Sequence, residues 1–330
     1  MFHAGAKLAL STGVTIRSVT AAGSRRRRYG GEKLAVARSF LSALSSISDR
    51  ACGICAELAF RTPPRFSATR REELVLASAS RSWVRGPAGE IAMWHWGDGP
   101  RVLLAHGWGS HAGRLTPFVE RLLGCGFGVT AFDAPGHGES PARFSSLPDF
   151  ADALRRVSRA VCPVALVGHS MGAAACVLAL DAGVRARAAV LLAPPADPGA
   201  YTRRYARWLG LSEAAAEIMR RRLERRYGGT LDSYRLVDRD PGVPTLILHD
   251  RGDTRVPVED GRALAAAWSG ARLVETRGLG HHRILRAPAV GRRMCRFLTR
   301  TIFAPREATV ARFLKPPMLV HSRATIGGLR

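Results

Sequence analysis

The sequence predicts an α/β fold, in which a mostly parallel sheet of about eight strands carries helices on both faces. Beyond residue 64, short apolar segments alternate with longer segments of helical periodicity, and this alternation is typical of strands joined by helical crossovers. Two short strands at the start look like an antiparallel opening pair. Hydrophobic residues make up 46% of the 330 residues, which is enough for one large core.

The predicted elements follow one another in a regular order. The expected strands are 74–79, 91–96, 102–105, 127–132, 164–167, 188–193, 245–248 and 272–275. The expected helices are 115–123, 149–161, 171–180, 212–227, 259–268 and 289–303. In such a sheet, ligands bind outside the carboxyl ends of the parallel strands, so we expect functional residues in the loops that follow those ends.

Four further segments flank or interrupt this domain, which we expect to span 63–303. Residues 1–31 carry six basic residues and no acidic one, and we expect disorder there, although a transit-like peptide or a mis-called start codon would look the same. The segment 32–62 has an apolar stripe that predicts an amphipathic helix packed on the main domain, rather than one docked on a membrane or partner. Residues 194–240 exceed an ordinary crossover and form either a helical lid or a plain surface helix. Residues 304–330 show no periodicity and are expected to be a loose tail.

The formal net charge of +24 comes almost wholly from arginine, since the lysines are limited to Lys7, Lys33 and Lys315. The arginines are scattered and no nucleic-acid motif accompanies them, so we interpret them as solvated cations and expect no specific nucleic-acid partner. A charge of this size still allows weak association with an anionic surface. No apolar run reaches the length of a transmembrane helix. The C-x-x-C of Cys52 and Cys55 lies inside a helical pattern and predicts neither a disulfide scaffold nor a zinc site, which favours a reducing, cytoplasmic setting.

One short stretch lies at the centre of this pattern. The apolar run 164–167 ends abruptly at a G-x-S-x-G sequence formed around Gly168, Ser170 and Gly172. A serine on a sharp turn between a buried strand and a helix has strained backbone angles, and the glycines on either side leave room for that turn. The free amides at the start of the helix point at the surroundings of the hydroxyl. The pattern therefore predicts a nucleophilic serine.

Four more stretches follow predicted strands. The first contains His106-Gly107-Trp108-Gly109, whose glycines let backbone amides face a cavity, as an oxyanion requires. The second, 132–140, predicts a tight turn. The third, 249–257, carries carboxylates, and the fourth, 278–282, carries histidines. The candidate groups thus occur along the chain in the order serine, acid and histidine.

These segments resemble the motifs of the α/β-hydrolase superfamily in their order and spacing. The motifs are H-G-W-G, D-x-P-G-H-G-x-S, G-H-S-M-G, D-x-x-V-P and G-x-G-H, and the resemblance covers about residues 72–303. It implies an α/β-hydrolase fold. Serine at position 170, rather than aspartate, argues against dehalogenase and epoxide-hydrolase chemistry. We therefore expect a serine hydrolase that cleaves a carboxylic ester or thioester through an acyl-enzyme, with no cofactor and no metal.

The resemblance also implies the roles of individual residues. Ser170 would be the nucleophile, His281 the general base and then acid, and Asp253 the carboxylate that orients His281. The backbone N–H groups of Trp108 and Met171 would form the oxyanion hole. The residues expected to support the site without reacting are His106, Gly107, Gly168 and Gly172.

Several alternatives remain open at this point. Asp250 shares a loop with Asp253 and His282 follows His281, but the D-x-x-V-P and G-x-G-H spacings favour Asp253 and His281. Acyl transfer to an alcohol and perhydrolysis would use the same side chains as ester hydrolysis. A catalytically silent scaffold that binds a partner or an anionic surface is the alternative from a different class. The expected partner is a small-molecule ester or thioester.

Overall fold

The computed structural model describes residue 39 and residues 43–304. In this part of the chain, eight strands form one sheet in the spatial order β1-β2-β4-β3-β5-β6-β7-β8. The strands are β1 (Ser80–Gly86), β2 (Gly89–Trp96), β3 (Arg101–Ala105), β4 (Gly128–Phe132), β5 (Ala165–His169), β6 (Ala188–Leu192), β7 (Thr245–Asp250) and β8 (Ala271–Thr276). The pairs β1–β2 and β2–β4 are antiparallel, and the other neighbours are parallel. The prediction of a mostly parallel, eight-stranded α/β sheet is confirmed.

Helices connect the strands and flank the sheet. They are α1 (Asp49–Arg61), α2 (Arg70–Ala77), α3 (Thr116–Leu123), α4 (Leu147–Val161), α5 (Met171–Asp181), α6 (Pro198–Leu209), α7 (Glu213–Tyr227), α8 (Val258–Ala267), α9 (Gly280–Arg283) and α10 (Pro288–Ile302). No helix of the described ranges is long and apolar enough to cross a membrane. The basic segment 1–31 lies outside the described residues. Of the predicted tail 304–330, residues 305–330 also lie outside them.

The two faces of the sheet form two hydrophobic cores. Leu103, Leu166 and Ile247 point to one face, where α4, α5 and α8 cover them. Leu104 and Val167 point to the other face, which α3 and α10 cover. Because side chains of a strand alternate between faces and both faces are covered, the central strands contain continuous apolar runs, such as 102–105, 164–167 and 188–192. Burial on both sides fixes the strand register and thereby the positions of the loops at the carboxyl ends.

The first predicted strand is wrong. Residues 74–79 fall largely within α2, which begins at a capping box in which Thr69 and Glu72 each bond the other's backbone amide. A capping box provides hydrogen-bond partners for backbone amides at the start of a helix that have no partner within it. It therefore favours a helix here, despite the apolar residues that follow. The strand that pairs antiparallel with β2 is instead β1, whose polar and charged residues lie half exposed at the sheet edge.

A second helix within 194–240 was missed by the sequence analysis. Helix α6 is capped by Asp197, whose side chain accepts a hydrogen bond from Ala200 N, and it ends at Gly210 with φ 72°. An Asp-Pro start and a glycine end are recognisable signals for a helix. We call residues 194–240, which contain α6 and α7, the cap segment.

Helix α1 packs against α7 of the cap segment. Cys52 and Ala56 of α1 lie in one buried apolar cluster with Met219 and Leu223 of α7. The approach is close, because a Cβ at Gly53 would lie 2.7 Å from the carbonyl oxygen of Ala215. The N-terminal helix and the cap segment therefore share a core that is separate from the two cores of the sheet.

A buried carboxylate joins the same two helices. The side chain of Glu57 is fully buried and lies 2.9 Å from Arg61, 3.3 Å from Arg222 and 3.3 Å from Arg226. Three guanidinium groups thus surround one carboxylate. Removing the negative charge would leave three cations around a buried neutral group, although Arg222 and Arg226 are partly exposed to water.

We expect Glu57→Gln to lower the free energy of unfolding by about 2 kcal/mol, because the amide keeps the shape but not the charge that the arginines face. Glu90→Gln is the matched control, since Glu90 is exposed and its loss should change stability by less than about 0.5 kcal/mol. Urea unfolding followed by circular dichroism measures both variants. Equal stability of the two variants would show that Glu57 does not hold α1 on the cap segment.

Candidate active site

Ser170 lies in a strained turn between β5 and α5. Its backbone has φ 53° and ψ −119°, and its N–H donates to the carbonyl of Leu192 at the end of β6. A Cβ at Gly168 would lie 2.5 Å from the Cα of Ala173, and one at Gly172 would lie 2.3 Å from the carbonyl oxygen of His106. Both positions therefore require glycine. The turn forces the serine out of the strand at the carboxyl edge of the sheet.

The loop after β3 lies directly beside Ser170. A Cβ at Gly107 would be 3.1 Å from the Cβ of Ser170, so the loop and the turn are in van der Waals contact. The N–H groups of Trp108 and Met171 make no hydrogen bond to any described residue. Two unpaired amides next to a strained serine are the arrangement that an oxyanion hole needs.

Two buried histidines hold this loop against the loop after β4. His106 Nε2 accepts a hydrogen bond from Ala134 N at 3.0 Å, and His137 Nε2 accepts one from Gly109 N at 3.0 Å. Each ring donates through Nδ1 to a nearby carbonyl, that of Gly107 for His106 and that of Pro135 for His137. Each loop thus contributes an imidazole that binds an amide of the other loop.

Both of these imidazoles are neutral. Burial holds the pKa of His106 well below its usual range and lowers the pKa of His137 to about 4, despite their hydrogen bonds to carbonyl groups. The neighbouring carboxyl of Asp133 accepts the amides of Ala112 and Glu139, both at 2.7 Å, and burial raises its pKa to about 7. The pair of histidines therefore acts as hydrogen-bonding scaffold.

The two candidate acids have different partners. Asp253 accepts the amides of Arg255 and Val256 through Oδ1 and the Nδ1–H of His281 through Oδ2, at 2.7 Å. Asp250 instead binds the amide of Gly252 and, through Oδ2, two groups of the segment before His281, the Thr276 hydroxyl and the Leu279 amide. Asp253 contacts the histidine ring, whereas Asp250 holds the backbone that carries it.

Asp253 is ionised in this setting. Its side chain is fully buried, and burial alone would raise the pKa of the carboxyl, but the hydrogen bond from His281 and the two amides outweigh burial and lower the pKa. Because His281 donates from Nδ1, its Nε2 has no proton in the neutral ring and is free to accept one.

A third buried histidine links His281 to the serine turn. His169, the residue before Ser170, donates from Nε2 to the backbone carbonyl of His281 at 2.9 Å, and the two ring centroids are 4.7 Å apart. Burial lowers the pKa of His169 to about 3, so it stays neutral. His282, by contrast, is exposed, and its ring contacts neither Asp253 nor Asp250 through a hydrogen bond. The structure thus brings His281, rather than His282, to both Asp253 and the serine turn.

Two supporting groups were not found from the sequence. His249 is fully buried near the end of β7, and its Nε2 donates to the carbonyl of Val256 at 3.0 Å. Asp260 accepts both the amide of Ala196 and the hydroxyl of Tyr201 at 3.1 Å, and thereby ties the cap segment to α8. No motif spacing signals either contact, since both depend on long-range packing. Among the described residues, no group of three or more possible metal ligands occurs.

Two protein-family models match overlapping parts of the chain. A family model described as serine aminopeptidase, S33, matches residues 100–241, and a model described as TAP-like protein matches residues 229–309. With the eight-stranded sheet and the solved structures below, these matches establish the class: the chain belongs to the α/β-hydrolase superfamily.

Particular relatives match shorter stretches. A pimeloyl-(acyl-carrier protein) methyl ester esterase from Methylococcus capsulatus is 45% identical over 96 residues, which are 28% of this chain and 35% of that protein. The monoglyceride lipase of Homo sapiens is 35% identical over 86 residues, 23% of this chain and 28% of that protein. The chain therefore spans about a third of the length of these curated relatives.

Solved structures cover more of the chain at lower identity. An esterase from Pyrococcus furiosus has a TM-score of 0.56 and 21% identity, over 73% of this chain and 99% of that one. A thermophilic esterase from Thermogutta terrifontis has a TM-score of 0.52 and 19% identity, over 68% of this chain and 99% of that one. At such identity the likeness shows the fold.

The low pKa of His137 has a consequence for stability in acid. An unfolded chain protonates this ring below about pH 6.5, whereas the folded protein does so only near pH 4. Between these values the unfolded state binds the extra proton, so the stability that His137 contributes falls as the pH drops.

We therefore expect His137→Gln to be less stable than the wild type at pH 7.5, with a difference that narrows on acidification. Below pH 6, the difference in the free energy of unfolding should shrink by about 1.4 kcal/mol per pH unit, because the unfolded state binds one more proton than the folded state. Urea unfolding at pH 7.5, 6.0 and 5.0 measures it. A difference that stays constant across this range would mean that the His137 ring takes up its proton at the same pH in the folded and unfolded states.

Proposed function

We propose that the protein is a serine hydrolase that cleaves a carboxylic ester or thioester through an acyl-enzyme. The observation that carries the proposal is the 2.7 Å hydrogen bond from His281 Nδ1 to buried Asp253 at the sheet edge where Ser170 leaves its strand. This bond fixes the tautomer in which Nε2 is the proton acceptor. The named activities of the relatives, an esterase and a lipase, support the same reaction class.

In the first half of the reaction, Ser170 Oγ attacks the carbonyl carbon while its proton moves to His281 Nε2. Ionised Asp253 stabilises the imidazolium that forms. The amides of Met171 and Trp108 donate to the oxygen of the tetrahedral intermediate, whose negative charge is greater than that of the substrate carbonyl. Collapse of the intermediate breaks the bond to the alcohol or thiol, which takes the proton from His281.

In the second half, water attacks the acyl-enzyme and His281 accepts its proton. The new intermediate collapses to release the acid, and Ser170 regains its proton from His281. The scaffold histidines His106 and His169 take no part in these transfers, because burial keeps the pKa of each ring well below neutrality. Proton transfer is thereby confined to one imidazole.

The proposal extends to the cap segment as a roof over the acyl pocket. Its support is the hydrogen bond from the hydroxyl of Tyr201, in the cap segment, to Asp260, which lies three residues after the carboxylate-bearing loop 249–257. The segment follows β6, whose last residue accepts the N–H of Ser170. A roof at this edge would exclude water from the scissile bond and set the size of the acyl group.

The two acids of the loop give a matched test. Asp253→Asn keeps both backbone amide contacts through its oxygen, but its NH₂ faces His281 Nδ1 and favours the wrong tautomer. We expect kcat on an aryl ester to fall on the order of 10⁴-fold near neutral pH, with partial recovery at high pH where hydroxide replaces the missing base.

Asp250→Asn is the control within the same loop. Its NH₂ would face the Leu279 amide or the Thr276 hydroxyl, so the main effect should be on the melting temperature, with kcat within about tenfold. Steady-state kinetics on protein shown to be folded measures both variants. If Asp250→Asn lowered kcat strongly and Asp253→Asn did not, the assignment of the acid would be reversed.

A further inference from the structure

A cavity of about 500 Å³ lies at the amino ends of the parallel strands, whereas Ser170 lies at their carboxyl ends. Pro163 and Val164, which precede β5, form one side of it, and residues 182–187, between α5 and β6, form another. Ser170 follows the last residue of β5, and a five-residue strand spans about 16 Å. The cavity is therefore separate from the candidate active site.

The lining of this cavity is strongly cationic. It contains Arg155, Arg159, Arg185 and Arg187 and no aspartate or glutamate. Arg155 lies 3.9 Å from Asp152, outside the lining. Within the described ranges, the guanidinium groups of the other three arginines make no ion pair and no hydrogen bond. Arg159, Arg185 and Arg187 are exposed, so water and salt screen part of the repulsion among the four charges, but all four still surround one concave surface.

An unpaired hydroxyl lies in the same lining. Ser158 Oγ is buried and has no hydrogen-bond partner among the described residues. Buried polar groups normally have a partner, so an unpaired one calls for an explanation. A hydroxyl both donates and accepts, and it can add a neutral hydrogen bond to an anion that the arginines attract.

The ends of two helices explain part of this charge. Helices α4 and α5 both end at the cavity, and a cation near a helix carboxyl end is favourable by about 0.3–1 kcal/mol. This accounts for Arg159 in the last turn of α4. It does not account for Arg185 and Arg187, which follow α5 in the connection to β6. Nor does it account for the buried hydroxyl.

We propose that this cavity binds a small anion with more than one phosphate group. The planar guanidinium fork matches the geometry of phosphate oxygens and binds them in pairs, and several forks around one space favour a multiply charged ligand. The volume lies within the usual range for small-molecule sites, about 300–1,000 Å³. The site is independent of ester hydrolysis, because neither its residues nor its position overlap with the candidate triad.

Cys162 provides a local reporter for the site. It lines the cavity and is exposed, so iodoacetamide should alkylate it at a rate that peptide mass spectrometry can follow. We expect inorganic pyrophosphate to slow this alkylation while leaving that of Cys55, on α1, unchanged. Calorimetry with pyrophosphate at a fixed salt concentration gives the dissociation constant.

The variants separate a built site from general attraction to a basic protein. Arg159→Gln with Arg187→Gln should weaken pyrophosphate binding at least tenfold and abolish the protection of Cys162. The control, Arg207→Gln with Arg225→Gln, removes the same charge from exposed positions of the cap segment and should change binding less than twofold. Thermal melting establishes that all variants are folded.

Three results would overturn the proposal. Equal weakening by the two double variants would show that pyrophosphate responds to net charge alone. Binding without protection of Cys162 would place the anion elsewhere. Protection by vesicles of anionic phospholipid or by duplex DNA, but not by pyrophosphate, would identify the cavity as part of a macromolecular surface instead of a small-molecule site.

Discussion

The candidate active site depends on a steric constraint at one residue. Ser170 holds a positive φ, which costs a non-glycine residue about 1–3 kcal/mol and persists only where the surroundings enforce it. The enforcing contacts come from both neighbouring strands: Leu192 of β6 accepts the Ser170 N–H, and the carbonyl of Ala105 of β3 leaves no room for a side chain at Gly172. The turn therefore relies on a sheet that is buried on both faces and cannot shift its register. The position of the serine is a property of the whole fold.

Around this turn, burial keeps three histidine rings neutral, whereas the carboxyl group of Asp253 is ionised. His106, His137 and His169 all have a lowered pKa because burial removes water from their rings, and each contacts a backbone group of a neighbouring loop. Asp253 is also buried, but hydrogen bonds from His281 and two amides keep its pKa low. In the proposed mechanism, Asp253 is the carboxylate that contacts the histidine ring taking part in proton transfer. The three buried rings serve as hydrogen-bonding scaffold in that mechanism.

Much of the sheet and of the turn around Ser170 could be predicted from the sequence, because both depend on local sequence patterns. The central strands are continuous apolar runs, and the glycines around Ser170 are required by contacts within a few ångströms. The failures have local and long-range causes. The capping box at Thr69 outweighed the apolar run that predicted a strand over 74–79. The helix α6 had a recognisable Asp-Pro start and glycine end that were overlooked. No local pattern could have found Asp260 with Tyr201, or the arginine-lined cavity, because packing brings together residues that are far apart in the chain.

The most direct test of the central claim, that Ser170 is the nucleophile activated by His281, is covalent labelling with a fluorophosphonate. This reagent phosphonylates an activated serine and gives a stable product that peptide mapping locates. The account predicts one label per chain, on Ser170. The rate of aryl ester hydrolysis should fall in proportion to the fraction of Ser170 that is labelled. Labelling should be absent in Ser170→Ala and strongly slowed in His281→Ala. Hydrolysis that continues after Ser170 is fully labelled, or a Ser170→Ala protein that keeps a tenth of the wild-type rate, would contradict it.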